Sequence, residues 1–163
     1  MDDFYLYLHC GDSLAVHTDN HAGDFVVDLP KTYKLDGHWG CALTEIAMST
    51  HTEQKTDRLY VCSNLIKESY VKDTFLPMLR SVPTTNEETL DLEFSTPYYT
   101  PIRHRGLNRV RIFMRGDRLN PCRFKLNRLY CTLRQEEFIR ITRVASSWVA
   151  VRVGVLTRRK WNW

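Results

Sequence analysis

Apolar and polar residues alternate with a period of two along most of the chain, which is the pattern of half-buried strands. Residues 4–10, FYLYLHC, form the first such run, and Gly11, Asp12 and Ser13 close it with turn chemistry. Residues 14–17 suggest a short edge piece and residues 18–23 a polar loop. The stretch that organises the rest is residues 24–48, DFVVDLPKTYKLDGHWGCALTEIAM. Phe25, Val27 and Leu29 share one face of its first half. In its second half Trp39, Cys41, Leu43, Glu45 and Ala47 fall on one face, and Gly40, Ala42, Thr44, Ile46 and Met48 on the other. Between the halves Pro30, Lys31, Lys34, Asp36 and Gly37 make a polar connector, so two strands joined by a turn are expected.

Further strands are expected at 59–63, at 75–83 (an edge or irregular strand, because of Pro77), at 90–94, 110–115 and 129–134, with a polar loop over 67–73. The residues 97–101, PYYTP, form a stiff aromatic bend. About eight short strands thus precede residue 135, and no helical pattern of 10–15 residues separates them. The predicted fold class is all-β, most simply a single jelly-roll sandwich of about eight antiparallel strands over residues 3–135. Residues 136–163 are set apart as a C-terminal basic and aromatic tail. Within it Phe138, Ile141, Val144, Ala145 and Trp148 suit one helical face, and from Trp148 the alternation WVAVRVGVL returns to a strand.

Composition changes this picture little. A chain of 163 residues with 43% hydrophobic and 26% charged residues fits one globular domain. No run of 18 apolar residues predicts a membrane span. The acidic start MDDFYLYLHC does not suit a secretory signal, so synthesis and folding in the cytosol are expected. The five cysteines are scattered without a CxxC pair and are expected to be reduced and buried. The six histidines form no HxH or HxxxH pair, and no GxSxG, GxxxxGK[ST] or GxGxxG motif occurs. Neither an enzyme, nor a metal site, nor a cofactor is therefore expected.

Charge changes more. Residues 1–97 hold 7 Lys+Arg against 16 Asp+Glu (−9), whereas residues 98–163 hold 16 against 3 (+13). Such asymmetry serves either nucleic-acid binding or the assembly of identical subunits. The candidate contact residues are Tyr98 and Tyr99 in the bend, Arg103, Arg105, Arg109 and Arg111 after it, and Arg158, Arg159, Trp161 and Trp163 in the terminal RRKWNW. On a strand, Arg109, Arg111 and Arg115 share a face with Phe113. That face suits solvent, a subunit interface or nucleic acid; the terminal segment suits packing on the sandwich, a neighbouring subunit, nucleic acid or a membrane surface.

The order of segments resembles the penton-type single jelly-roll proteins of Polintons (Mavericks) and the related adintoviruses. Leu29, Pro30, Leu35, Gly37, Trp39, Leu43, Glu45 and Ile46 match that family's L-P…-L-x-G-x-W-x-x-x-L-x-E-I segment. LYVCSNLI, LPMLRSVP, PYYTPI, RVRIFMRG and LNRLYCTLR resemble its later segments in the same order. The chain departs from the family at Gly116-Asp117-Arg118, where an acidic turn is usual, and in residues 136–163. The resemblance implies a structural protein of an icosahedral double-stranded DNA virus or virus-like element. Its subunits form pentamers at the vertices and contact a double jelly-roll major capsid protein, and the basic tail is a candidate contact for packaged DNA. It also implies residence in the virion after synthesis in the host cytoplasm, with the nucleus a candidate place of assembly. The alternative is a β-sandwich binding module that takes nucleic acid or glycan on the arginines and the Tyr98/Tyr99 bend. If residues 136–163 anchor to neighbouring subunits, their removal is expected to leave the sandwich folded but prevent assembly, whereas loss of folding would show that they belong to the core.

Overall fold

A computed structural model describes residues 3–49, 56–84, 89–124 and 149–157. Among them there is no helix, and eleven strands form three antiparallel sheets. The first sheet runs β1 (Asp3–His9), β11 (Val149–Thr157), β3 (Trp39–Ser49), β8 (Thr89–Glu93), with the short β9 (Thr100–Pro101) also on β3. The second runs β2 (Asp24–Lys34), β10 (Gly106–Arg115), β4 (Arg58–Ser63), β7 (Met78–Pro83). A small hairpin, β5 (Ser69–Val71) and β6 (Thr74–Leu76), lies between β4 and β7 in sequence.

Period-two patterning places one core between the two large sheets. Leu6 and Leu8 of β1, Leu43, Ile46 and Met48 of β3, and Val151 and Val153 of β11 face it from the first sheet. Phe25 and Val27 of β2, Leu59 and Val61 of β4, and Val110, Ile112 and Met114 of β10 face it from the second. At about 1.5–3 kcal/mol for each large side chain removed from water, this shared core is the main source of stability. Cys10, Cys41, Cys62 and Cys122 are buried as expected, and desolvation pushes the Cys62 thiol up to about 12 and the Cys122 thiol up to about 11.

The outer edge of β2 is capped by the loop before it. The Asn20 side chain donates to the Val26 carbonyl at 2.8 Å and accepts from the Val26 N–H at 2.8 Å, as a neighbouring strand would. The Ser13 hydroxyl accepts from the Asp28 N–H at 3.0 Å. Around Val26 and Asp28 the edge is thereby closed to pairing with another chain. Residues 14–17 are part of this capping loop and not an edge strand.

Three differences from the sequence reading have physical causes. The alternation of residues 39–48 is broken by a bulge: Leu43 pairs with Val153 and Glu45 with Arg152, so Thr44 is the extra residue. The β3 side chains in the core cluster are therefore Trp39, Cys41, Leu43, Ile46 and Met48, which straddle both expected faces. The connector is shorter than expected, because β2 continues through Pro30 to Lys34; Gly37, at φ 91°, makes the turn that follows. Most consequential, the strand assigned to a C-terminal tail is an inner strand, bonded to β1 on one side and β3 on the other. A boundary after residue 135 thus cuts through the first sheet. The strand expected at 129–134 and the helical face from Phe138 to Trp148 lie outside the described residues.

Candidate functional site

Strand β10 carries the densest chemistry. Val110, Ile112 and Met114 point into the core, which turns Arg109, Arg111, Phe113 and Arg115 outward together. The guanidiniums of Arg111 and Arg115, two residues before and two after it, each lie 5.2 Å from the Phe113 ring centroid. The neighbouring strand β2 is antiparallel and acidic. Arg109 Nε donates to Asp28 Oδ1 at 2.5 Å, while His17 Nε2 meets Asp28 Oδ2 at 2.8 Å. Arg111 holds Asp24 in a two-pronged contact, Nε to Oδ1 at 2.8 Å and Nη2 to Oδ2 at 2.5 Å. Two of the arginines of residues 98–163 are therefore paired inside the subunit with two of the acids of residues 1–97, where the acidic start of β2 lies against basic β10.

These pairs are half-exposed, so solvent screening keeps their contribution to stability small. Their effect on titration has a definite sign. The Arg109 guanidinium, foremost, holds the Asp28 carboxyl below its ordinary value; desolvation opposes it, and His17 adds a lesser lowering. A carboxyl with a depressed folded-state pKa stabilises the fold above the unfolded value of about 4, and that contribution disappears as the pH falls through the folded value. Asp28→Asn is accordingly expected to melt below the parent protein at pH 7 and to match it near pH 2, as read by thermal unfolding across the acid range.

The bend after β8 is built differently. The Arg80 guanidinium of β7 lies 3.9 Å from the Phe94 ring centroid and 4.8 Å from that of Tyr98, and its Nη1 donates to the Thr96 carbonyl at 3.0 Å. One residue thus ties the bend to β7, and Tyr98 keeps a largely exposed ring. Tyr99 is half-buried. The backbones of Arg103 and Arg105 are fixed to other loops: the Arg103 N–H donates to the Leu65 carbonyl, and the Arg105 carbonyl accepts from the Leu35 N–H, each at 2.8 Å. Their side chains stand exposed. The candidate residues fall into two groups, Arg109 and Arg111 on the outer face of the second sheet and Tyr98 to Arg105 in the β8–β10 connection. Arg158, Arg159, Trp161 and Trp163 lie outside the described residues.

Two surface features carry no marker in the sequence. One is a pocket of about 320 Å³ where β1, the end of β2 and the start of β3 meet, lined by Phe4, Lys31, Thr32, Tyr33, Lys34 and Trp39. Phe4 and Tyr33 stack with ring centroids 4.9 Å apart, and Lys31 Nζ lies 4.9 Å from the Tyr33 ring. The period-two signal places Tyr33 in a polar connector, so the pocket becomes visible only once β2 is seen to extend. The other is the β5–β6 hairpin, whose Tyr70 and Phe75 rings are exposed. Its two-residue turn, Lys72-Asp73, has φ of 44° and 63°, a geometry usually signalled by Asn-Gly or Asp-Gly. A groove of about 450 Å³ over the arginine face is lined by His17, Asn20, His21, Asp24 and Arg111 among others. Among the described residues no group of three or more His, Cys, Asp or Glu side chains is placed to hold a metal ion. Nor is any helix there long and apolar enough to cross a membrane.

Comparison with protein-family models finds no match, and comparison with curated proteins finds none either.

Proposed function

We propose that the chain is a single jelly-roll capsid subunit of the penton type, a structural protein that works by self-assembly. The observation that carries the proposal is the strand order. Counting the eight strands of the two four-strand paths in chain order, the first sheet runs first, eighth, third, sixth and the second runs second, seventh, fourth, fifth. Each strand thus pairs with the one at the mirror position in the sequence, first with eighth, second with seventh, third with sixth and fourth with fifth, all antiparallel. Winding one long hairpin around a barrel would give such a pairing, and this supports reading the sandwich as a jelly roll of the capsid kind. It supports the segment order quoted above independently of any single motif, because it depends on long-range pairing. In this reading the subunit closes rings of five, meets a double jelly-roll major capsid protein around them, carries its basic terminal segment towards packaged DNA, and resides in the virion.

Sedimentation velocity with negative-stain imaging of the purified chain tests the proposal. Five-fold rings at moderate salt are the expected result. A monomer that binds DNA with a steep salt dependence would overturn it in favour of the nucleic-acid module.

A further inference from the structure

The β5–β6 hairpin presents a preformed aromatic knob. Tyr70 and Phe75 sit directly opposite each other on its ladder, 5.6 Å apart in an edge-on arrangement, at 65% and 63% exposure. The hairpin is held down at its tip: Lys72 Nζ donates to the Asp117 carbonyl at 2.7 Å and lies 5.3 Å from the Tyr60 ring, while the Tyr70 hydroxyl donates to Asp73 Oδ1 at 2.9 Å. A knob fixed in this way loses little conformational freedom on docking. Lys72 is turned back onto its own subunit, so Asp73, which accepts from the Tyr70 hydroxyl, is the charge beside the rings, and Glu68 is exposed next to Lys67 at the root of the hairpin.

The Phe4–Tyr33–Trp39 pocket is its complement. The pocket is walled by aromatic rings and rimmed by Lys31 and Lys34, and no acidic side chain lines it. Its volume of about 320 Å³ is at the lower end of the range for sites that take compact ligands, which suits a pair of rings. The two features lie towards opposite sides of the second sheet. The pocket is at β2, one edge strand, and the hairpin is inserted between β4 and β7 and rests on Tyr60 of β4. Complementary patches on opposite sides of one subunit form a heterologous contact, which repeats from copy to copy and closes into a ring when the rotation allows.

We infer that the Tyr70–Phe75 pair of one copy seats in the Phe4–Tyr33–Trp39 pocket of the next, with Glu68 and Asp73 facing Lys31 and Lys34. The inference rests on the self-assembly reading and supplies its contact residues: aromatic anchors in a pocket with charges at the rim, the usual composition of an energetic centre.

The test uses two full-length double variants, Tyr70→Ser/Phe75→Ser and Lys31→Glu/Lys34→Glu. All four side chains are exposed, so both variants are expected to keep the parent's thermal transition. Each alone is expected to sediment as a monomer, with assembly weakened at least about 10-fold. Mixed in equal amounts, they retain one intact knob and one intact pocket, and the expected product is a heterodimer that grows no further. If the parent assembles and both variants assemble as it does, the inference is overturned and self-assembly stands. Monomeric variants that fail to form the heterodimer on mixing would overturn the pairing of knob with pocket. A parent that stays monomeric to about 100 μM overturns both the inference and the reading beneath it.

Discussion

A chain that stops after residue 135 is expected not to fold. It loses β11, which is hydrogen-bonded along its length to β1 and to β3. Val151 and Val153 leave the core with it, and both are buried. Strand β1 then loses its sheet neighbour as well, and its Leu6 and Leu8 lose the frame that holds them inside. Four large apolar side chains at about 1.5–3 kcal/mol each amount to roughly 6–12 kcal/mol. A domain of this size is stable by about 5–15 kcal/mol in total, so the loss is comparable with the whole margin. Far-UV circular dichroism and the dispersion of amide proton signals would report the loss directly. A chain that stops after Thr157 keeps all eleven described strands and is expected to unfold cooperatively in urea as the parent does. A cooperative transition in the 135-residue chain would show that β11 is dispensable, and the sheet order would then need another explanation.

The same strand marks the limit of what the sequence discloses. Its alternation, VAVRVGVL, identifies a strand, but period-two patterning says nothing about which strand it joins. Its partners are residues 3–9 and 39–49, over a hundred positions earlier, and no local signal encodes that distance. The positions of β1, β3 and β8 are readable from apolar alternation bounded by turn residues, and that of β4 from the β-propensity of LYVCS. The bulge at Thr44 was not, because nothing in its side chain distinguishes an extra residue from a regular one. The candidate surface was legible in the same partial way. Alternation alone put Arg109, Arg111 and Arg115 on one face with Phe113, and the structure places them there. It could not show that Arg109 and Arg111 already hold Asp28 and Asp24, contacts that span 81 and 87 residues. Charge reversal at those two arginines would therefore break pairs within the subunit before testing any between subunits. The hairpin knob and the pocket of Phe4, Tyr33 and Trp39 provide the cleaner test, because among the described residues the ion pairs lie at Asp24 and Asp28 and not at either feature.

Gly23→Ala is expected to destabilise the protein by about 3 kcal/mol. Gly23 is buried just before β2, and its backbone φ lies outside the left-handed region, so alanine is allowed conformationally. The obstacle is space. A methyl group there would overlap the Cys122 carbonyl oxygen, and would lie 3.2 Å from that carbonyl carbon and 3.3 Å from Phe124 Cε2. The first two are backbone atoms and cannot rotate aside. Either the start of β2 moves or residues 121–124 lift away. The first breaks the bond from the Met114 N–H to the Gly23 carbonyl, at 2.8 Å. The second breaks that from the Cys122 N–H to the Met114 carbonyl, at 3.1 Å, and brings Cys122 and Phe124 out of the core. One hydrogen bond at about 1 kcal/mol and part of a phenylalanine's burial give the stated cost. It should appear as a lower urea midpoint with an unchanged slope. Gly106→Ala is the matched control, since its nearest atom, Thr32 Cγ2, is an ordinary contact at 3.9 Å and the expected change is within about 0.5 kcal/mol. A second readout identifies which segment yields. Burial holds the Cys122 thiol up to about 11, so lifting residues 121–124 returns it towards the ordinary thiol range and speeds its labelling by a disulfide reagent at pH 8. Faster labelling at Cys122 places the strain on residues 121–124, and a lower midpoint with unchanged labelling places it on the start of β2. A variant as stable as Gly106→Ala would show that the Cys122 carbonyl is not seated against Gly23 in solution.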